Sequence, residues 1–183
     1  MATKRTIVLA LVLSALVLGA STGFAQDAAL AVSAKEVMVD GVVKPGEYSW
    51  TKSFGQLELF LSRTGDTLWI GAVGTTTGWV SVGLGTLKMD KSAIFIGFVD
   101  PEGKTQFKPQ VGVGRTHSDT SDPEIAGSLL SSAMKEQGGR TTLEFALTAD
   151  RWIAEGQATL DLIYAVGSQD SFSPRHTMRG AIA

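Results

Sequence analysis

The 183-residue chain contains no cysteine. That absence excludes disulfides, thiolate-held zinc, iron–sulfur clusters and haem attached through a Cys-x-x-Cys-His motif. Histidine is scarce: His117 and His176 are the two in the sequence, too few for a three-histidine zinc centre. There is no Gly-x-Ser-x-Gly elbow, no His-Glu-x-x-His helix and no Gly-x-x-x-x-Gly-Lys phosphate loop, so an enzyme carrying its own catalytic residues is not expected. A basic excess is missing too, with 16 Lys and Arg against 18 Asp and Glu, which makes nucleic acid an unexpected partner.

Long apolar runs are limited to one. Lys4 and Arg5 precede the apolar stretch Ile7 to Leu18, and Gly23-Phe24-Ala25 offers a small-x-small cleavage pattern, the layout of a secretory signal peptide over residues 1–25. The run is shorter than the roughly 20 residues a spanning helix needs, although an uncleaved N-terminal anchor is the alternative. Loss of Lys4 and Arg5 with that segment takes the formal charge from −2 to −4. Without cysteine at the cleavage point a lipid anchor is not expected there, and the processed protein is read as periplasmic or secreted, with no membrane span. Residues 26–35 lack turn chemistry and sustained alternation and read as a flexible leader. Residues 36–183 then form one domain.

What is abundant is period-two patterning. Leu57, Leu59 and Leu61 alternate with Glu58, Phe60 and Ser62; Thr64-Gly65-Asp66 supplies a turn; Leu68, Ile70 and Ala72 follow in alternation. Val80 to Leu84, Ala93 to Val99, Gln106 to Val113, Thr141 to Leu147 and Leu160 to Val166 extend the pattern. The stretch near 129–136 fits a helix or a strand, and Gly138-Gly139 favours a strand leading into a hairpin. Ala149 to Ala154 suits one helical turn. The sum predicts an all-β fold, an antiparallel immunoglobulin-like β-sandwich of about ten strands.

Two side chains stand out chemically. Met89 follows the glycine-rich run Gly78-Trp79-Val80-Ser81-Val82-Gly83-Leu84-Gly85, and His176 follows the strand ending at Val166 and a loop of Ser, Asp and Pro. A thioether and an imidazole are the two axial ligands of an electron-transfer haem iron. The ordinary alternatives are a methionine filling a gap in packing and a solvated histidine near a terminus. Arg175 and Arg179 flank His176; neighbouring cations keep an imidazole neutral, as metal ligation requires, and suit haem propionates, although surface arginines need no such role. His117, in a polar loop, reads as solvated. The apolar walls of such a site belong either to a face carrying Val80, Val82, Ile94 and Ile96 or to one carrying Trp79, Phe95 and Phe98.

Val39-Asp40-Gly41-Val42-Val43-Lys44-Pro45-Gly46-Glu47-Tyr48, Trp79 to Gly85 leading to Met89, Thr141-Thr142-Leu143-Glu144-Phe145, and Tyr164 to Phe172 with His176-Thr177-Met178-Arg179-Gly180 together resemble the DOMON domain, in order and over nearly all of the processed chain. The resemblance implies a sandwich related to the cytochrome domain of cellobiose dehydrogenase and to carbohydrate-binding modules. For the cytochrome-type members it implies haem b held non-covalently by Met89 and His176, with Trp79 and Arg179 as further cofactor contacts and a separate redox partner protein. With both axial positions filled by protein, such a centre transfers single electrons rather than activating oxygen. The alternative is a haem-free carbohydrate-binding module in which Trp50, Trp69, Trp79 or Trp152 stacks on a sugar ring.

Overall fold

A computed structural model of the chain describes residues 30, 33, 35–154, 157 and 159–183. The expected signal segment, residues 1–25, lies outside the described residues. Among the described residues eleven strands follow one another: β1 (Trp50–Phe54), β2 (Leu57–Thr64), β3 (Thr67–Gly74), β4 (Val80–Leu84), β5 (Ala93–Val99), β6 (Thr105–Val113), β7 (Thr116–Asp119), β8 (Leu129–Gln137), β9 (Arg140–Thr148), β10 (Leu162–Val166) and β11 (Met178–Ile182). They make two antiparallel sheets, β1-β2-β3-β9-β8 and β11-β10-β4-β5-β6-β7. The all-β sandwich architecture is as the alternation predicts.

The hairpins form where the sequence supplies both alternation and a turn. Leu57, Leu59 and Leu61 of β2 and Leu68, Ile70 and Ala72 of β3 are all fully buried between the sheets. They face Val80, Val82 and Leu84 of β4, Phe95 of β5, Leu143, Phe145 and Leu147 of β9, and Leu162 and Val166 of β10. Phe95 and Phe145 stack across the interlayer at 4.8 Å between centroids. Each such side chain contributes on the order of 1.5–3 kcal/mol by leaving water, which holds the sheets together without a covalent staple.

Two local features depart from the sequence reading, and a few residues of the stretch read as a leader are described. A short helix, α1 (Pro123–Ser128), precedes β8; the Asp122 side chain caps it by accepting the Glu124 N–H at 2.9 Å, and Pro123 begins it. Within the stretch read as a flexible leader, Leu30 is buried in the core and the Ser33 N–H donates to the Arg63 carbonyl at 2.6 Å. The two faces drawn for β4 and β5 are also corrected. Register pairs Val82 with Phe95 and Gly83 with Ile94, so Val80, Val82 and Phe95 point inward, while Trp79, Ile94, Ile96 and Phe98 lie on the outer side of the six-stranded sheet.

Candidate functional site

The outer side of the six-stranded sheet holds a second apolar cluster, separate from the interlayer core: Trp79, Ile94, Ile96 and Phe98, with Met89, Ala165 and Phe172 packed on it. The loop between β4 and β5 brings Met89 there. Its backbone carbonyl sits where a Cβ on Gly112 of β6 would be, and the same carbonyl accepts the Ser92 N–H at 3.1 Å. Only glycine permits that approach. The loop between β10 and β11 covers the other end: Phe172 packs on Phe98 at 4.8 Å between centroids, under the Lys108 ammonium at 4.5 Å. Trp79 lies against Gly167, and its buried indole Nε1 has no hydrogen-bond partner among the described residues.

Arg179 lies on this side of the sheet, in the row that runs through Ala165, Ser81, Ile96 and Lys108. His176 stands just before Thr177, whose N–H donates to the Val166 carbonyl at 2.8 Å. Burial, then Arg179 and Arg175, hold its imidazole below the ordinary histidine value, in the neutral form.

Met89 lies on this side of the six-stranded sheet, and His176 lies in the loop at the opposite end of its strands. Met89 docks on β6 beyond the row Val111–Ala93–Leu84–Leu162, whereas His176 lies beyond the row Gly97–Val80–Val166 at the other end of the strands, beside β10 and β11. At strand spacings of about 4.8 Å and residue rises of about 3.4 Å, the two backbones are on the order of 20 Å apart. Two such side chains and two metal–ligand bonds span on the order of 14 Å in a straight line. As placed, the pair does not fit the two axial positions of one haem.

The other histidine is nearer to Met89. His117 of β7 is paired with Gly112, the residue under Met89, and is half-buried. Its Nδ1 bonds the Oε1 of Gln110, whose Nε2 donates to Asp119 at 2.7 Å, while Lys108 pairs with Asp119 at 2.6 Å. Burial lowers the His117 pKa. The polar-loop reading of His117 is therefore corrected: it is a tethered member of a sheet-edge network.

A concavity lies on the opposite side of the molecule, over the outer side of the five-stranded sheet. The segment Val42–Gly46 stands beside this sheet as a wall, and a groove of about 520 Å³ runs between it and residues of β1, β2, β3, β8 and β9. Its lining includes Tyr48, Phe60, Glu58, Lys135, Gln137 and Arg140. The wall is pinned by one carboxylate. Glu144 of β9, fully buried, accepts the N–H groups of Gly41 and Val42 at 2.8 and 3.0 Å through Oε2, with Asp40 at 3.3 Å, and the Tyr48 hydroxyl at 2.8 Å through Oε1. Glu47 braces the wall from within, accepting the N–H groups of Met38 at 3.2 Å and Lys44 at 2.9 Å.

Burial pushes the Glu144 carboxyl upward, against the pull of the Tyr48 hydroxyl and the backbone N–H groups; the Tyr48 phenol is pushed upward by burial and by the neighbouring Glu144 charge. The Tyr48 ring lies over Gly71 of β3, where a Cβ would stand only 3.1 Å from it, and tilts against Phe60 at 5.7 Å between centroids. Arg140 and Glu58 pair at 2.6 Å across the groove's rim.

Sequence reasoning did not find this groove, because its lining comes from well-separated segments. The tryptophans expected as sugar platforms are elsewhere. Trp50 is in the interlayer core, Trp79 is buried on the other side of the molecule, and Trp152 packs edge-on against Phe95. Trp69 shares the outer side of the five-stranded sheet but is absent from the groove lining. The available signal was the pairing of Val39–Tyr48 with Thr141–Phe145, two of the segments that carry the family resemblance.

No protein-family model matches the chain, and no curated protein matches it. Among solved structures it is similar to the cytochrome b domain of pyranose dehydrogenase from Coprinopsis cinerea, with 12% identity, 68% of this chain and 73% of that one covered, and a TM-score of 0.47. It is similar to the cytochrome domain of cellobiose dehydrogenase from Myriococcum thermophilum, with 11% identity, coverages of 72% and 78%, and a TM-score of 0.45. It is also similar to a family 9 carbohydrate-binding module from Caldicellulosiruptor kristjanssonii in complex with cellotriose, with 13% identity, coverages of 84% and 83%, and a TM-score of 0.48.

Proposed function

We propose that the chain is a non-catalytic binding module whose ligand is a saccharide, held in the groove between Val42–Gly46 and the outer side of the five-stranded sheet. The observation that carries this reading is the groove's composition: two neighbouring aromatic rings, Tyr48 and Phe60, facing a rim of planar and hydroxyl polar groups, Gln137, Arg140, Glu58, Thr51 and Thr142. A sugar ring offers C–H groups that pack on an aromatic surface and hydroxyls that both donate and accept. Amide, guanidinium, carboxylate and hydroxyl groups supply those partners. The volume lies within the range of small-ligand sites, about 300–1,000 Å³. The wall's attachment through Glu144 holds the groove open before a ligand arrives, which reduces the ordering cost of binding. A glycan array probed with the purified chain tests the reading: specific retention of saccharides supports it, and an empty array removes it.

A second reading is the exported haem b module, in which Met89 and His176 would hold the iron, Trp79 and Arg179 would contact the cofactor, and the haem would supply one-electron exchange with a redox partner. One observation favours it: the Met89 side chain packs in a buried apolar patch that also holds the unpartnered Trp79 indole. The spacing of Met89 and His176 counts against it. Haemin titration decides the matter. A Soret shift abolished by Met89→Ala and by His176→Ala establishes this reading, and no uptake of haemin dismisses it. Among the described residues no helix is long and apolar enough to cross a membrane; under either reading we place the protein outside the cytoplasm, from the residue 1–25 pattern.

A further inference from the structure

We infer that the groove selects saccharides that carry a carboxylate, with Lys135 as the cation that meets it; this rests on the saccharide reading above. Three cations line the groove, Lys44, Lys135 and Arg140, against one lining carboxylate, Glu58. Two of the cations are already engaged. Lys44 bonds Asp40 at 2.5 Å, and Arg140 bonds Glu58 at 2.6 Å. Lys135, exposed on β8, has no carboxylate within ion-pair distance among the described residues.

Among the lining side chains cations outnumber carboxylates, while the Asp40, Glu47 and Glu144 carboxylates stand on the wall segment or behind it. Such a local excess inside a concave wall concentrates anions. Lys135 stands beside the wall segment, its Cβ close to Gly41 and its charge felt by the Asp40 carboxylate that Lys44 already pairs, and Gln137 and Thr142 of the same lining offer an amide and a hydroxyl to sugar hydroxyls. A uronic acid residue supplies what that arrangement lacks: one carboxylate for Lys135 on a ring whose C–H face packs on Tyr48 and Phe60. A neutral sugar of the same shape makes every contact except the ion pair.

Calorimetric titration of the full chain with trigalacturonic acid and with its methyl ester, which removes the charge and keeps the skeleton, tests the inference. The acid is expected to bind about tenfold tighter than the ester, the advantage of a charge-assisted hydrogen bond, and to lose most of that advantage at high salt. In Lys135→Gln the acid is expected to lose its advantage over the ester. Equal affinities of acid and ester in the parent protein overturn the inference while leaving the saccharide reading in place. A preference for the acid that survives Lys135→Gln overturns the assignment to Lys135. If neither trimer binds, the inference falls with respect to uronates, and the glycan array reports separately on saccharide binding.

Discussion

Glu144 and Tyr48, 96 residues apart in the chain, meet at 2.8 Å over the outer side of the five-stranded sheet, and the same carboxylate gathers the backbone N–H groups of Gly41 and Val42. Through this one side chain the segment Val39–Tyr48 becomes part of the fold and one wall of the groove. Glu144→Ala leaves one buried and three part-buried donors without this acceptor, so a loss of about 2–4 kcal/mol in unfolding free energy is expected by denaturant titration. Tyr48→Phe removes one of these bonds and is expected to cost about 1 kcal/mol. Equal and negligible losses in both variants contradict the pinning role.

Phe60 offers the groove its second ring from a solvent-side position on β2, so it contributes little to the interlayer core. Phe60→Ala is expected to lower saccharide affinity about tenfold, the loss of an aromatic stacking contact, with a change in unfolding free energy of about 1 kcal/mol or less. Parallel calorimetry and denaturant titration check both. Unchanged affinity places the ligand elsewhere.

Gly112 has no room for a side chain because the Met89 carbonyl occupies that space. Gly112→Ala is expected to lift the β4–β5 loop from the sheet, destabilising the protein by about 1–3 kcal/mol. Saccharide binding on the other side of the molecule is expected to persist in the folded fraction. Loss of binding in folded Gly112→Ala protein argues against independence of the two sides.

His176 titrates below the ordinary value of 6.5, through burial first and then Arg179 and Arg175. Because its folded value is depressed, the fold favours the neutral ring. The corresponding stability is present above pH 6.5 and is lost as pH falls through the folded value. Imidazole proton shifts followed by NMR are expected to give a midpoint below 6.5 that rises in Arg179→Ala. A midpoint at or above 6.5 contradicts the placement of these groups.

The strands were legible where burial on one face forces alternation, as in Leu57–Leu61 and Leu68–Ala72, because period two is a local property. Which residues share a face across strands was not, since it depends on register: Ile94 aligns with Gly83 rather than with Val82. The same blindness affected Met89 and His176, whose spacing in the chain says nothing of the opposite corners to which antiparallel β4 and β10 send their loops. The groove was illegible for a further reason. Its wall is tied down by a glutamate about a hundred residues away, and its rings, Tyr48 and Phe60, are ordinary residues until Gly71 leaves space between them.

The most direct measurement is amide-shift mapping of the isotope-labelled chain during titration with the tightest ligand found on the glycan array. Shifts concentrated at residues 42–48, 58–60, 71–73 and 135–142 are predicted. Shifts concentrated instead around Trp79, Met89, Phe172 and His176, with the groove residues unmoved, contradict the account.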